Sequence, residues 1–442
     1  MSWRSKLTGT AILAGFFLAL AWGGPVEKQL PGDNTSRART GLFHADPEHL
    51  WNRLHGQFTV RTAPSGERHG FDALDPLLWP ETEYLLTGES HRKALRLLDE
   101  FLRVRGERLI SDPLKQALLQ RDLWAVFDWS AGTVGWKDHY PAARAALRAK
   151  LGPLLWRSAM PEKQVRALPD NYRQAVASGR YAAQYDPSQR ERPFLPPDLF
   201  DPRGPWVKLT PNRGPTARSH VAAFSGRSVF FVFLRLPGGR KATLDYLAKL
   251  WHFPRPWFNL DLPQFPPGTK VALARRLVLF DANGKLMDTA ITESLQIRVF
   301  REVPAGGLSG ASFRAQDFFE FKLSRVLLLA GEAGGLRPVT PDEAQLRSFG
   351  THGCDMIANM ESCPRTATLK CENCHAWPGV HSLGSLDALF PPRPLYTDPV
   401  EGDPGFGVPY LESSATLYWK KTHYDWGLLN ALRPLRGNPP GR

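Results

Sequence analysis

At 442 residues the chain can bury two or three cores of ordinary domain size, and 42% hydrophobic content with 14 Trp and 25 Phe excludes a disordered protein. The formal net charge of +13 favours anionic lipid, cell-wall polymer or an acidic partner protein. Nucleic acid is excluded as the expected partner, because Lys and Arg are scattered without a dense tract and no nucleic-acid-binding motif is present.

The first residues carry an address. Arg4 and Lys6 precede an uncharged apolar run, Ala11 to Trp22, that ends in small residues (Ala19-Leu20-Ala21 or Ala21-Trp22-Gly23). The run is shorter than the ~20 residues a spanning helix needs, so residues 1–23 read as a cleaved signal peptide rather than an anchor. No cysteine lies at the cleavage region, which argues against a lipoprotein. Localisation is therefore expected to be periplasmic, or otherwise exported.

Residues 40–192 read as an all-α domain. Ser90 is placed to cap a helix in which Ala94, Leu97, Leu98, Phe101 and Leu102 recur at helical spacing. Asp112-Pro113 is a second start signal, leading into Leu114–Trp129. Pro141 opens a third helix and Asp170–Ser178 a fourth, with Trp51, Trp79, Trp124, Trp129 and Trp156 as packing residues. A Pro-rich stretch, 193–205, then breaks the pattern as a linker or extended wrap.

Residues 206–335 change to β texture. Val229–Leu236 is an apolar run with Arg235 within it, and a short helix is expected over Thr243–Trp251. Val271–Phe280 and Lys285–Met287 flank Asn283-Gly284, a strong hairpin signal. Leu295, Ile297 and Val299 alternate with polar residues, and Phe313–Leu329 supplies one or two further strands. The expected fold class is thus α+β and multidomain, with a β-rich sandwich or barrel-like middle domain. Residues 340–442 contain all four cysteines and few regular elements before a last helix, Glu412–Leu432.

Chemistry concentrates in that last segment. Cys371-Glu372-Asn373-Cys374-His375 fits C-x-x-C-H, in which two thiols join the haem vinyl groups and the next residue supplies an imidazole to the iron. Over these five residues the chain resembles c-type cytochromes. The resemblance implies covalent haem c at Cys371 and Cys374, His375 as axial ligand, and a C-terminal haem module. A common single-haem cytochrome would carry a later Met ligand, but no Met follows Met360. The second axial position is expected to be open or held by His423 or His381, with His352, Met356 and Met360 as further options.

Cys354 and Cys363 are expected to form a disulfide in an oxidising compartment. Two rivals stay open: a structural zinc held by all four cysteines, and two disulfides without a cofactor. His44, His49 and His55 lack a third ligand for a metal site. No nucleophile elbow, Walker A loop, H-E-x-x-H or dinucleotide fingerprint is present. The leading reading is an exported mono-haem protein in electron transfer or another haem-based redox role, an oxidoreductase component rather than a stand-alone enzyme. The alternative is a cofactor-free or zinc-stabilised binding protein whose β-rich domain recognises a cell-wall or protein ligand.

Overall fold

A computed structural model describes residues 41–62, 68–72, 74–76, 78, 82–132, 140–211, 214–251, 262–301, 315–339, 375, 379–383, 395–397 and 412–434. Residues 1–23, the segment expected to be a signal peptide, and all four cysteines lie outside the described residues. Among the described residues no helix is long and apolar enough to cross a membrane.

The helical part begins with α1 (Leu50–Phe58), α2 (Gly88–Val104), α3 (Pro113–Ala131) and α4 (Pro141–Ser158), followed by the short α5 (Glu162–Arg166) and α6 (Asn171–Ala177). Between α1 and α2, β1 (Arg61–Thr62) and β2 (Arg68–His69) pair as a small ribbon. Asp112 caps α3 as its sequence signal implies, accepting from the backbone N–H groups of Leu114 and Lys115 at 2.8 and 3.0 Å. Asp170 caps α6 through Arg173 N at 3.0 Å. The capping role expected of Ser90 is not realised: α2 starts earlier, at Gly88, and Ser90 instead accepts from Gln57.

One antiparallel sheet follows. Its strands are β3 (Val207–Pro211), β4 (Ser228–Arg235), β5 (Lys270–Phe280), β6 (Leu286–Phe300), β7 (Gln316–Leu323), β8 (Leu336–Pro338) and β9 (Leu395–Thr397), in the order β8-β7-β6-β5-β4-β3-β9. This is a mixed α+β fold. Among the described residues the seven strands lie in one hydrogen-bonded order rather than in the two sheets of a sandwich, and the outer strands are not paired to each other as in a closed barrel. The β5–β6 hairpin turns at Asn283-Gly284 as expected, but only Gly284 has positive φ (82°). Asp281 Oδ1 accepts from Asn283 N and Lys285 N, both at 2.8 Å, so the loop is a longer one closed by a carboxylate.

Helices and sheet share one core. Along β4, Val229, Phe231 and Phe233 belong to the cluster that also holds Leu118, Leu123 and Phe127 of α3. Trp124 meets Phe280 edge-on at 5.2 Å, and Gln120 donates to the Phe280 carbonyl at 2.9 Å. Residues 193–205 are a packed wrap, with Phe194, Leu195 and Leu199 buried in that core. After β3, β4 and β7 come α7 (Arg218–Ala223), α8 (Gly239–Trp251) and α9 (Arg325–Leu329), and the chain closes with α10 (Glu412–Lys421) and α11 (Tyr424–Ala431). The expected single last helix is therefore two, broken at Thr422-His423.

Charge is buried where helices meet sheet. Arg325 donates to Asp122 through both terminal nitrogens, one at 2.6 Å, and to the Leu74 carbonyl at 2.9 Å. Burial alone would raise the Asp122 carboxyl, but the Arg325 charge together with the hydrogen bonds from His55 and Arg325 holds it low. Arg227 and Lys420 converge on Asp128 at 2.6 and 2.7 Å, and Lys420 also reaches Asp425 at 2.8 Å. Gly226 (φ 69°) makes this possible, since a Cβ there would lie 3.0 Å from Trp419 and Lys420.

Two predictions follow from this interior. Asp122→Ala leaves the Arg325 cation buried and should cost ~3–5 kcal/mol in chemical denaturation, whereas joint replacement by Leu and Met should recover most of it. Equal losses in the two variants would contradict the account. His55, buried beside Asp122, donates from Nε2 to the Phe71 carbonyl at 2.9 Å, and burial lowers its proton affinity. Below its ordinary value near 6.5 the unfolded chain gains a proton that folded His55 resists, so stability falls as pH drops from 7.5 to 5.5. His55→Phe should lose less stability over that interval than the parent; an equal loss would contradict this role.

Candidate functional site

The sheet places part of the C-x-x-C-H motif. Along β4, Phe230 points away from the main core and joins a small cluster with Ala217 and Val221. On β6, Arg298 is set between Val271 of β5 and Phe318 of β7. Arg298 donates to Ser382 Oγ at 2.8 Å, while Gln316, at the start of β7, donates to the His375 carbonyl at 2.7 Å. Residues Gly379–Leu383 form a single 3-10 turn, closed by Ser382 Oγ donating to the Gly379 carbonyl at 2.7 Å. Val380 pins the turn, buried with Val271, Leu262 and Phe300, and its N–H donates to Gln264 at 3.2 Å.

The His375 side chain is oriented by this turn. Its Nδ1 lies 3.1 Å from the Ser382 carbonyl oxygen. A carbonyl can only accept, so the proton resides on Nδ1 and the lone pair on Nε2. A haem or zinc imidazole needs that tautomer, with a second group fixing the ring. The donor chemistry of His375 therefore fits the group the motif implies.

A second imidazole stands beside it. His220, on α7, has its ring centroid 5.9 Å from that of His375, with the planes 16° apart. On its other side it stacks on Phe230 at 5.3 Å. Both histidines are partly buried. Enclosure pushes the proton affinity of His375 down to about 4, assisted by the Arg298 charge. His220 is pushed down to about 4 by enclosure, then by Arg275 and Arg298. At neutral pH both rings are uncharged, the form that donates a lone pair to a metal.

Arg275 links this pair to the interior. It bonds Asp75 at 2.8 and 3.0 Å, Ser228 Oγ at 2.9 Å and Glu293 at 2.8 Å, and its guanidinium lies 3.6 Å from the ring centroid of Phe224, just after α7. Arg121 of α3 completes the set, 2.5 Å from Asp75 and 3.2 Å from Glu293.

Of the residues singled out by sequence, Cys354, Cys363, Cys371, Cys374, His352, Met356 and Met360 lie outside the described residues. His381 is in the 379–383 turn, with its side chain undescribed. His423 is not within a helix but at the N-cap of α11, and its Nδ1 donates to the Trp419 carbonyl at 2.7 Å. His44 and His49 stack at 4.4 Å, while His55 is committed to Phe71. Among the described residues no group of three or more His, Cys, Asp or Glu is placed to hold a metal. Sequence reasoning missed His220, Arg298, Gln316 and Ser382; no local pattern marks a histidine so far upstream as a neighbour of His375. No protein-family model, curated protein or solved structure matches the chain.

If Arg298 anchors the turn, Arg298→Met should raise amide exchange across Val380–Leu383 by about tenfold, the loss of ~1–2 kcal/mol expected for a charge-assisted hydrogen bond. Exchange in the centre of β5 should stay unchanged. Unaltered protection of the turn would contradict the anchoring role.

Proposed function

We propose that this chain is an exported mono-haem c-type cytochrome-like protein acting in electron transfer or another haem-based redox step. Haem is attached through Cys371 and Cys374, and His375 ligates its iron. The observation that carries the reading is the tautomer of His375: the ring that follows the attachment motif has Nδ1 committed to the Ser382 carbonyl, leaving Nε2 as the donor. In this reading residues 340–442 carry the haem, with the 379–383 turn bonded to Arg298 of β6 and the His375 carbonyl to Gln316 of β7.

Bound haem supplies a one-electron couple between ferric and ferrous iron. The chain's own residues set the conditions for it. The Ser382 carbonyl increases the basicity of His375 and fixes its ring. Arg298, which carries the turn, and Arg275, near His220, place positive charge around the site, and that field favours the more reduced state. The net positive charge steers the protein toward an acidic redox partner or an anionic membrane or cell-wall surface. Residues 1–23 direct export to the periplasm and are then removed. Cys354 and Cys363, spared by the haem, pair as a disulfide in that compartment.

The test is the mass of the mature protein made in a host with the haem-attachment machinery. One covalent haem, retained on a denaturing gel and lost in a Cys371→Ala, Cys374→Ala double variant, is expected. An apo mass with one tightly held zinc would overturn the reading in favour of four-cysteine ligation.

A further inference from the structure

We propose that the helical part carries a separate binding site, a cavity among α1, α3 and α4 that takes a small primary ammonium compound with a short apolar tail. The inference is independent of the haem reading. The cavity has a volume of about 170 Å³, and Trp51, Leu119 and Met160 line it together with Glu107 and Ser158. Trp51 comes from α1, Leu119 from α3 and Ser158 from the last position of α4, while Glu107 lies in a 3-10 turn, Gly106–Arg108, just after α2. That turn is set by Arg105, whose positive φ (55°) ends α2, and by Gly106, where a Cβ would lie 2.4 Å from the Phe101 ring. The Gly106 carbonyl accepts from Trp51 Nε1 at 2.8 Å, which fixes the indole against the turn bearing Glu107.

The polar groups at this cavity define its occupant. Glu107 Oε2 and Ser158 Oγ are both buried, and neither makes a hydrogen bond within the chain. A buried polar atom left unpaired is costly, above all on a carboxylate, so both atoms call for a partner. A carboxylate oxygen only accepts and a hydroxyl oxygen also accepts, so the complement is a positively charged group rich in donors. The neighbouring side chains do not supply one. The ion pair of Glu107 is with Arg108, 3.9 Å from the other oxygen, Oε1. Arg157 and Gln116 also line the cavity, but they donate to the Leu102 and Ile110 carbonyls, each at 2.9 Å, and not to Glu107. An ammonium has three donors, enough for both oxygens. Trp51, Leu119 and Met160 are buried and offer an apolar wall to an alkyl tail. A calcium ion would need about six to eight oxygen ligands, which an indole, a leucine and a thioether do not provide. A cavity of about 150 Å³ holds a benzene ring, so the occupant has about five to seven non-hydrogen atoms.

The test is a titration of the full-length protein with three probes of one size, n-butylammonium chloride, n-butanol and sodium butyrate, at constant ionic strength and followed by ligand-observed NMR. Butylammonium should saturate a single site, with butanol bound at least tenfold more weakly and butyrate more weakly still. Glu107→Gln should weaken butylammonium at least tenfold while leaving butanol unchanged, and Ser158→Ala should weaken butylammonium severalfold. The three-probe comparison on the parent decides the matter even if Glu107→Gln does not accumulate. Equal affinity for ammonium and alcohol, or no saturable binding of butylammonium, would overturn the proposal. So would unchanged butylammonium affinity in Glu107→Gln. Tighter binding of butyrate would overturn it as well, by assigning the cavity to an anion at Arg157.

Discussion

A guanidinium taken out of water must find negative charge, and the way Arg275 does so organises the molecule around the site. Its partners come from separate parts of the chain: Asp75 from the connection between α1 and α2, Ser228 from β4 and Glu293 from β6. Arg121 reaches the same two carboxylates from α3. Removing one member would leave its partner charged in a low-dielectric interior, so the elements are constrained together. Phe224 rests on the Arg275 guanidinium, and the short helix bearing His220 ends at that residue. The position of His220 is thereby fixed by the charged interior, while that of His375 is fixed by Arg298 on the neighbouring strand.

The local features of the fold were legible in the sequence. Asp112-Pro113 marks the start of α3 because a cap and a fixed φ act on adjacent residues alone. Asn283-Gly284 marks the hairpin for the same reason. The shape of the sheet was not, since strand periodicity reports that one face is buried but not what buries it. Val229, Phe231 and Phe233 would alternate equally well in a sandwich; here they meet helices. The break between α10 and α11 was hidden because Thr422-His423 carries neither Gly nor Pro.

The site divides in the same way. His375 is legible because the C-x-x-C-H pattern keeps cysteines and histidine in one short run. Its neighbours are not, because Arg298, Gln316 and His220 reach it only through strand register and the α7–β4 turn. Arg298 reads from sequence as an outward residue of a half-buried strand. In the fold it instead donates to Ser382, and its charge reaches both imidazoles.

The central claim is that a metal is held at His375 by nitrogen, in a haem. X-ray absorption on the purified mature protein tests it directly, since edge energy identifies the element and the fine structure identifies the ligands. The account predicts an iron edge, with first-shell nitrogen near 2 Å and the outer-shell scattering of axial imidazole. A zinc edge with four sulfur neighbours near 2.3 Å would contradict it.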